Sequence, residues 1–115
     1  GLFTDLKERG MMDNTLVVAM GEFGRTPKVL TQKPPGRQHW PKCFSAIMGG
    51  CGIAGGAVYG ASDRHGASVV HNPVEPKNLA ATIYHALDIP LNDLLIDNAG
   101  ARPITTGKPI MDLFA

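Results

Sequence analysis

Four side chains whose types could do chemistry fall within one stretch of the 115-residue chain: Glu22, Arg25, Arg37 and His39. Glu22 follows the apolar run "VVAM" and stands between Gly21 and Gly24. His39 returns after a glycine- and proline-containing connection, beside Trp40, the chain's single tryptophan. A carboxylate and an imidazole that converge across a loop match the donor preferences of zinc or another transition ion. Glu22 and His39 are therefore candidate metal ligands, although two donors do not close a coordination shell. The competing readings are a Glu22–Arg25 ion pair at a strand end and a His39 packed on Trp40. Arg25 and Arg37 flank the same loop, and guanidinium groups recognise phosphate or sulfate through paired hydrogen bonds. Both are candidate substrate contacts, with ordinary surface salt bridges as the alternative.

Other motifs carry less. Gly50-Cys51-Gly52-Ile53-Ala54-Gly55 spells G-x-G-x-x-G, but a dinucleotide fingerprint also needs a helix opening at the glycines. The sequence continues "GAVYGASD", without helical periodicity, so the segment is expected to be a flexible connection. His65 and His71 fall in expected loops, and His85 falls inside an expected helix, where packing is the ordinary role. No serine or threonine sits in a nucleophile elbow and no H-E-x-x-H occurs, so no catalytic nucleophile is assigned to this chain. Cys43 and Cys51 lack C-x-x-C spacing and read as small apolar residues, or as a disulfide if a hairpin brings them together.

The elements that must hold these residues are legible in outline. "LFTDLKERG" places Leu2, Phe3 and Leu6 on one face and stops at Gly10, as a short amphipathic helix does. "TLVVAM", Thr15–Met20, is continuously apolar, which predicts an interior strand covered on both faces. Ligands in open α/β sheets gather beyond the C-terminal ends of strands, so Glu22 would stand where a site forms. Residues 21–42 read as one long connection, a length that in compact domains goes with function or disorder. "CFSAIMGG", Cys43–Gly50, is a second strand candidate, with short extended pieces around Val58–Tyr59 and Val69–Val70. "VEPKNLAATIYHAL", Val74–Leu87, is the clearest helix: Pro76 suits its first turn and Leu79, Ile83, Ala86 and Leu87 share a face. This helix is expected to cover the Thr15–Met20 strand. The tail "GARPITTGKPIMDLF" offers short apolar pieces suited to a sheet edge.

Composition narrows the classes. Hydrophobic residues make up 43% and charged residues 18%, the balance of a globular chain. The net charge of +1 comes from 11 basic and 10 acidic side chains that are intermixed, so neither a nucleic-acid footprint nor a polybasic membrane patch is expected. No apolar run approaches a membrane span, and no export signal opens the chain. Residues 1–115 are expected to form a single domain or a fragment of one.

"TLVVAMGEFGRTP", then "GRQHWP", "MGGCGIAGGAVYGASD" and "PVEPKNLAATIYHALDIP", occur in the order found in a bacterial family abundant in planctomycetes, domain of unknown function 1501. The chain resembles that family over nearly its whole length. The resemblance implies the alkaline phosphatase and sulfatase superfamily, and hence an α/β sandwich, a mixed sheet with flanking helices, of which this chain holds the C-terminal segment. It implies a metal-dependent phosphoester or sulfate-ester hydrolase with zinc, calcium, manganese or magnesium as candidate ions and an anionic ester as substrate. Periplasmic or exported localisation follows from the same resemblance. In that superfamily a strand like Thr15–Met20 ends in an Asp-His metal-binding pair and a histidine returns after a loop. Glu22 matches the Asp and His39 the returning histidine. Phe23 stands where the second ligand of the pair would be, and Gln38 where relatives carry an acid. The nucleophile and first metal-binding acid belong to the N-terminal remainder of such a domain, so the isolated chain is expected to be inactive. The alternative is a non-catalytic binding or structural protein that keeps the fold.

Overall fold

The computed structural model describes residues 1–115 as a small mixed α/β fold with two helices and short two-stranded sheets. The chain forms two compact units. The first comprises Gly1–Val17, Met48–Val58 and Val74–Ala115, the second Val18–Ile47 and Tyr59–Pro73. No helix is long and apolar enough to cross a membrane.

In the first unit, helix α1 spans Leu2–Glu8 and buries Leu6. Its end is a Schellman motif: the Gly10 N–H bonds the Lys7 carbonyl, the Met11 N–H bonds that of Leu6, and Gly10 takes φ +67. Glycine reaches this left-handed geometry without the Cβ clash that penalises other residues. Leu2 and Phe3 remain exposed, so only Leu6 of the expected face is buried.

Helix α2 spans Pro76–Ala86, with extended Glu75 as N-cap and Pro76 opening the first turn, where its missing N–H costs nothing. It too closes in a Schellman pattern, Asp88 N–H to His85 and Ile89 N–H to Tyr84, with Asp88 at φ +54 where glycine is usual. The buried centre of α2 is Ala81 and Thr82, both with no exposed surface. Leu79, Ile83 and Ala86 are half-buried and Leu87 is exposed. The C-terminal segment lies along this face. The Thr82 hydroxyl donates to the Asn78 carbonyl at 2.7 Å and accepts the Ile110 N–H at 3.0 Å. Asn78 Oδ1 accepts the Lys108 N–H, and Thr105 Oγ1 donates to the Lys77 carbonyl. Gly107 passes so close to the Lys77 carbonyl that a Cβ there would collide with it.

The tail therefore packs first on α2, because the polar backbone of a segment without a strand partner must find acceptors and donors elsewhere. Its ends pair in extended form, Gly100–Pro103 with Leu94–Asp97 and Phe114 with Ile53. A short 3₁₀ turn, Met111–Leu113, precedes that bridge.

Strand β1 is Val17–Met20 and pairs with β4, Ala46–Gly49. Between them come β2, Gly24–Arg25, and β3, His39–Trp40. They are followed by β5, Ala61–Ser62, and β6, Val69–His71. Strands β7, Leu94–Asp97, and β8, Gly100–Pro103, form a hairpin after α2. The pairs β2–β3, β5–β6 and β7–β8 are antiparallel. Two sequence expectations are corrected here. No single mixed sheet forms, and Thr15–Met20 is not an interior strand: β1 begins at Val17, has one partner, and leaves Ala19 and Met20 exposed. Apolarity on both faces signals a capacity for burial, and β1 realises it in part, with Val17 and Val18 half-buried.

Val58 is likewise not in a strand and is 91% exposed. The "GCGIAG" segment makes a tight turn bridged between Gly50 and Ile53 rather than a strand-to-helix junction. Gly50, at φ +92, has no room for a Cβ against the Thr15 carbonyl. The β7–β8 hairpin turns through Asn98 and Ala99, with Asp97 accepting the Ala99 N–H and pairing with Arg102. Cys43 and Cys51 are free, half-buried thiols.

Candidate functional site

The long connection of residues 21–42 is a hairpin. Gly24 opposes Trp40 and Arg25 opposes His39 in an antiparallel register. The Thr26 N–H donates to the Gln38 carbonyl at 3.0 Å, which makes Thr26 and Gln38 a hydrogen-bonded pair. Alternation along the ladder then makes Arg25 and His39 the non-hydrogen-bonded pair, the type whose Cα atoms stand closest, at about 4.5 Å. Thr26 terminates the ladder with its side chain: Oγ1 accepts the Gln38 N–H and donates to the Lys28 carbonyl, both at 3.1 Å. Further out, Leu30 and Gly36 exchange two backbone hydrogen bonds and close the tip.

Two contacts hold the base of the hairpin within the second unit. Gly24 lies against the chain that follows β3: a Cβ would collide with the Cys43 carbonyl oxygen and come within 2.9 Å of that of Trp40. Trp40 Nε1 donates to the Ala67 carbonyl at 2.7 Å. Ala67 belongs to the turn between β5 and β6, which Asp63 organises by accepting the His65 and Ala67 N–H groups at 3.0 and 2.9 Å. The Ala67 N–H above all holds the Asp63 carboxyl below its ordinary value of 3.8; partial desolvation opposes this and the His65 N–H adds to it. His39 is thus carried on a strand whose neighbouring residue is anchored to a second, separately braced turn.

On the hairpin, Phe23 meets both members of the Arg25–His39 pair. The Phe23 and His39 ring centroids are 3.9 Å apart at an interplanar angle of 31°. The Arg25 guanidinium carbon lies over the Phe23 ring, 5.1 Å from its centroid. Arg25 Nη1 also donates to the Arg37 carbonyl at 3.4 Å. Arg25, Arg37, Gln38 and His39 line one open cleft of about 470 Å³. Three of the four residues singled out in the sequence therefore converge. Glu22 does not line the cleft; it is exposed in the bend before β2.

Neither competing sequence reading forms. Arg25 turns to Phe23 and Arg37 rather than to Glu22, and His39 stacks on Phe23 rather than on Trp40, whose ring instead faces Lys42 Nζ at 5.2 Å. His65 and His71 are exposed, His65 accepting from Arg64 Nε, and His85 packs edge-on against Phe114. The sequence reading missed Gln38 as a lining residue and Phe23 as a contact. The available signal was the pairing of "FGR" with "QHW", which folds Phe23, Arg25 and His39 together once the connection is read as a hairpin.

The chemistry of the lining is one-sided. Two arginines, a histidine and a glutamine line the cleft, and no acidic residue does. Guanidinium pairs favour phosphate, sulfate or carboxylate oxygens. No group of three or more His, Cys, Asp or Glu converges anywhere in the chain.

No curated protein and no solved structure matches the chain. The family model described as protein of unknown function (DUF1501) matches residues 1–114. With all but the last residue aligned to that model, the chain belongs to the DUF1501 family.

Proposed function

We propose that this chain is the C-terminal part of a metal-dependent phosphoester or sulfate-ester hydrolase of the sulfatase and alkaline phosphatase type, to which it contributes the anion-recognition cleft. The observation that carries this reading is the convergence of Arg25, Arg37, Gln38 and His39 on one cleft without a lining carboxylate. Arg25 and Arg37 supply fixed positive charge to ester oxygens, His39 supplies a polar ring nitrogen, and Gln38 an amide. Exposed apolar positions on the paired strands β1 and β4, Met20 at 47% and Ile47 at 64%, support a sandwich in which the N-terminal remainder of the domain covers them.

Glu22 and His39 are the two metal donors this chain offers. They do not make a site alone, since zinc takes four ligands and the harder ions six or more, Glu22 stands outside the cleft that His39 lines, and no group of three donors converges. In this reading zinc, calcium, manganese or magnesium takes its remaining ligands, and the reaction its nucleophile, from the N-terminal remainder.

The test uses the 115-residue chain with inorganic sulfate and with chromogenic phosphate and sulfate esters. Saturable sulfate binding, weakened in both R25Q and R37Q, together with no ester turnover, is the expected result. Sulfate binding unchanged in either variant would remove the cleft; chelator-sensitive turnover would overturn the assignment of the nucleophile to another part of the domain. The stacking of His39 on Phe23 favours a second reading, an anion-binding module without catalysis. That reading predicts the same binding, and no turnover even when the chain is joined to its N-terminal remainder.

A further inference from the structure

We infer that Phe23 is the positioning residue of the cleft, an aromatic platform that sets the Arg25 guanidinium and the His39 ring for an incoming oxyanion. The inference rests on the reading of the cleft as an anion site. Arg25 and His39 are both exposed and sit opposite one another on a two-rung ladder, so the backbone brings their Cβ atoms together but does not select their rotamers. Phe23 is half-buried and touches both, with 3.9 Å between ring centroids on the His39 side and 5.1 Å from its centroid to the guanidinium on the Arg25 side.

A guanidinium over an aromatic face is attracted by the ring quadrupole, and offset ring pairs are attracted in the same manner. These contacts restrict two flexible polar side chains before any ligand arrives. The ligand is then spared the entropy of ordering them. Arg25 keeps further donors free while it leans on the ring and reaches the Arg37 carbonyl, because a guanidinium carries five N–H groups.

Removal of the aromatic face should therefore weaken anion binding without removing any group that touches the anion. The experiment titrates the folded 115-residue chain with sodium sulfate at constant ionic strength and follows the histidine ring protons by NMR. His65 and His71, exposed and away from the cleft lining, serve as internal references. In the wild type the His39 ring protons should be displaced upfield by the Phe23 ring current before sulfate is added. F23L, which keeps apolar bulk but has no ring, should lose that displacement and bind sulfate about threefold to tenfold more weakly. F23W, which keeps an aromatic face, should restore both.

Equal sulfate affinity in wild type and F23L overturns the role of Phe23 while leaving the cleft intact. Absence of saturable binding in the wild type overturns the cleft itself. Should F23L lose the folded spectrum, F23M takes its place. A wild-type His39 ring without upfield displacement refutes the stacking whatever the variants do.

Discussion

Thr82 offers the sharpest test of how the first unit is held together. It is fully buried, and its hydroxyl does two jobs: it donates to Asn78 and accepts from the N–H of Ile110, itself only 8% exposed. Thr82→Val keeps the shape and removes the acceptor. The lost donor matters little, because the Asn78 carbonyl is already within the helix. The orphaned Ile110 N–H matters more, since an unsatisfied buried donor costs about 1–3 kcal/mol. The added methyl replaces a hydroxyl of similar size and recovers a few tenths, so a net loss of about 1.5–2 kcal/mol is expected. Thr82→Ser keeps the hydroxyl and loses one methyl group, for about 1 kcal/mol. Urea unfolding gives both numbers, and amide hydrogen exchange at Ile110 reports the bond directly. A Thr82→Val protein as stable as wild type, or one with undiminished protection at Ile110, would refute the claim that this hydrogen bond holds the C-terminal segment on α2.

Three further outcomes follow from individual contacts. Gly24→Ala should destabilise the hairpin by roughly 2–3 kcal/mol, because the new Cβ meets the Cys43 carbonyl, and sulfate binding should fall with the thermal midpoint. Asp88→Gly should stabilise the protein by about 1 kcal/mol, seen as a higher midpoint in urea: Asp88 sits at φ +54 and sets a carboxylate at the negative end of α2, and glycine relieves both. The lowered native value of Asp63 means that the unfolded chain takes up its proton first on acidification. Its stabilisation is therefore fully present above 3.8 and lost as pH falls through the native value below it. Asp63→Asn should flatten that acid limb of stability, and an unchanged slope between about pH 5 and about pH 2.5 would show that the Asp63 turn is not coupled to folding.

Local chemistry was readable wherever neighbours along the chain decide it. Gly10 after a short amphipathic run marked the end of α1, and Pro76 after Glu75 marked the start of α2, because caps and first turns are satisfied within a few residues. That Arg25, Arg37 and His39 lie in one region was legible because all three belong to one long connection between apolar runs. The family too was readable, from the order of its sequence blocks.

What tertiary structure alone decided is which groups meet. A two-rung ladder has too few residues to show a period, so the hairpin that opposes Arg25 to His39 left no alternating pattern to find. The same ladder brought Phe23 onto His39 and left Glu22 in a bend outside the cleft, a difference of one residue that composition cannot express. The β7–β8 hairpin was hidden in the same manner, with all eight of its residues exposed and Ile96 at 83%. Thr82 became the buried centre of α2 only because a segment some 28 residues later needed an acceptor for its backbone. The apolar run before Glu22 states in sequence how much surface could be buried; whether it is buried depends on what stands beside it, and β4 covers one edge of it and neither face.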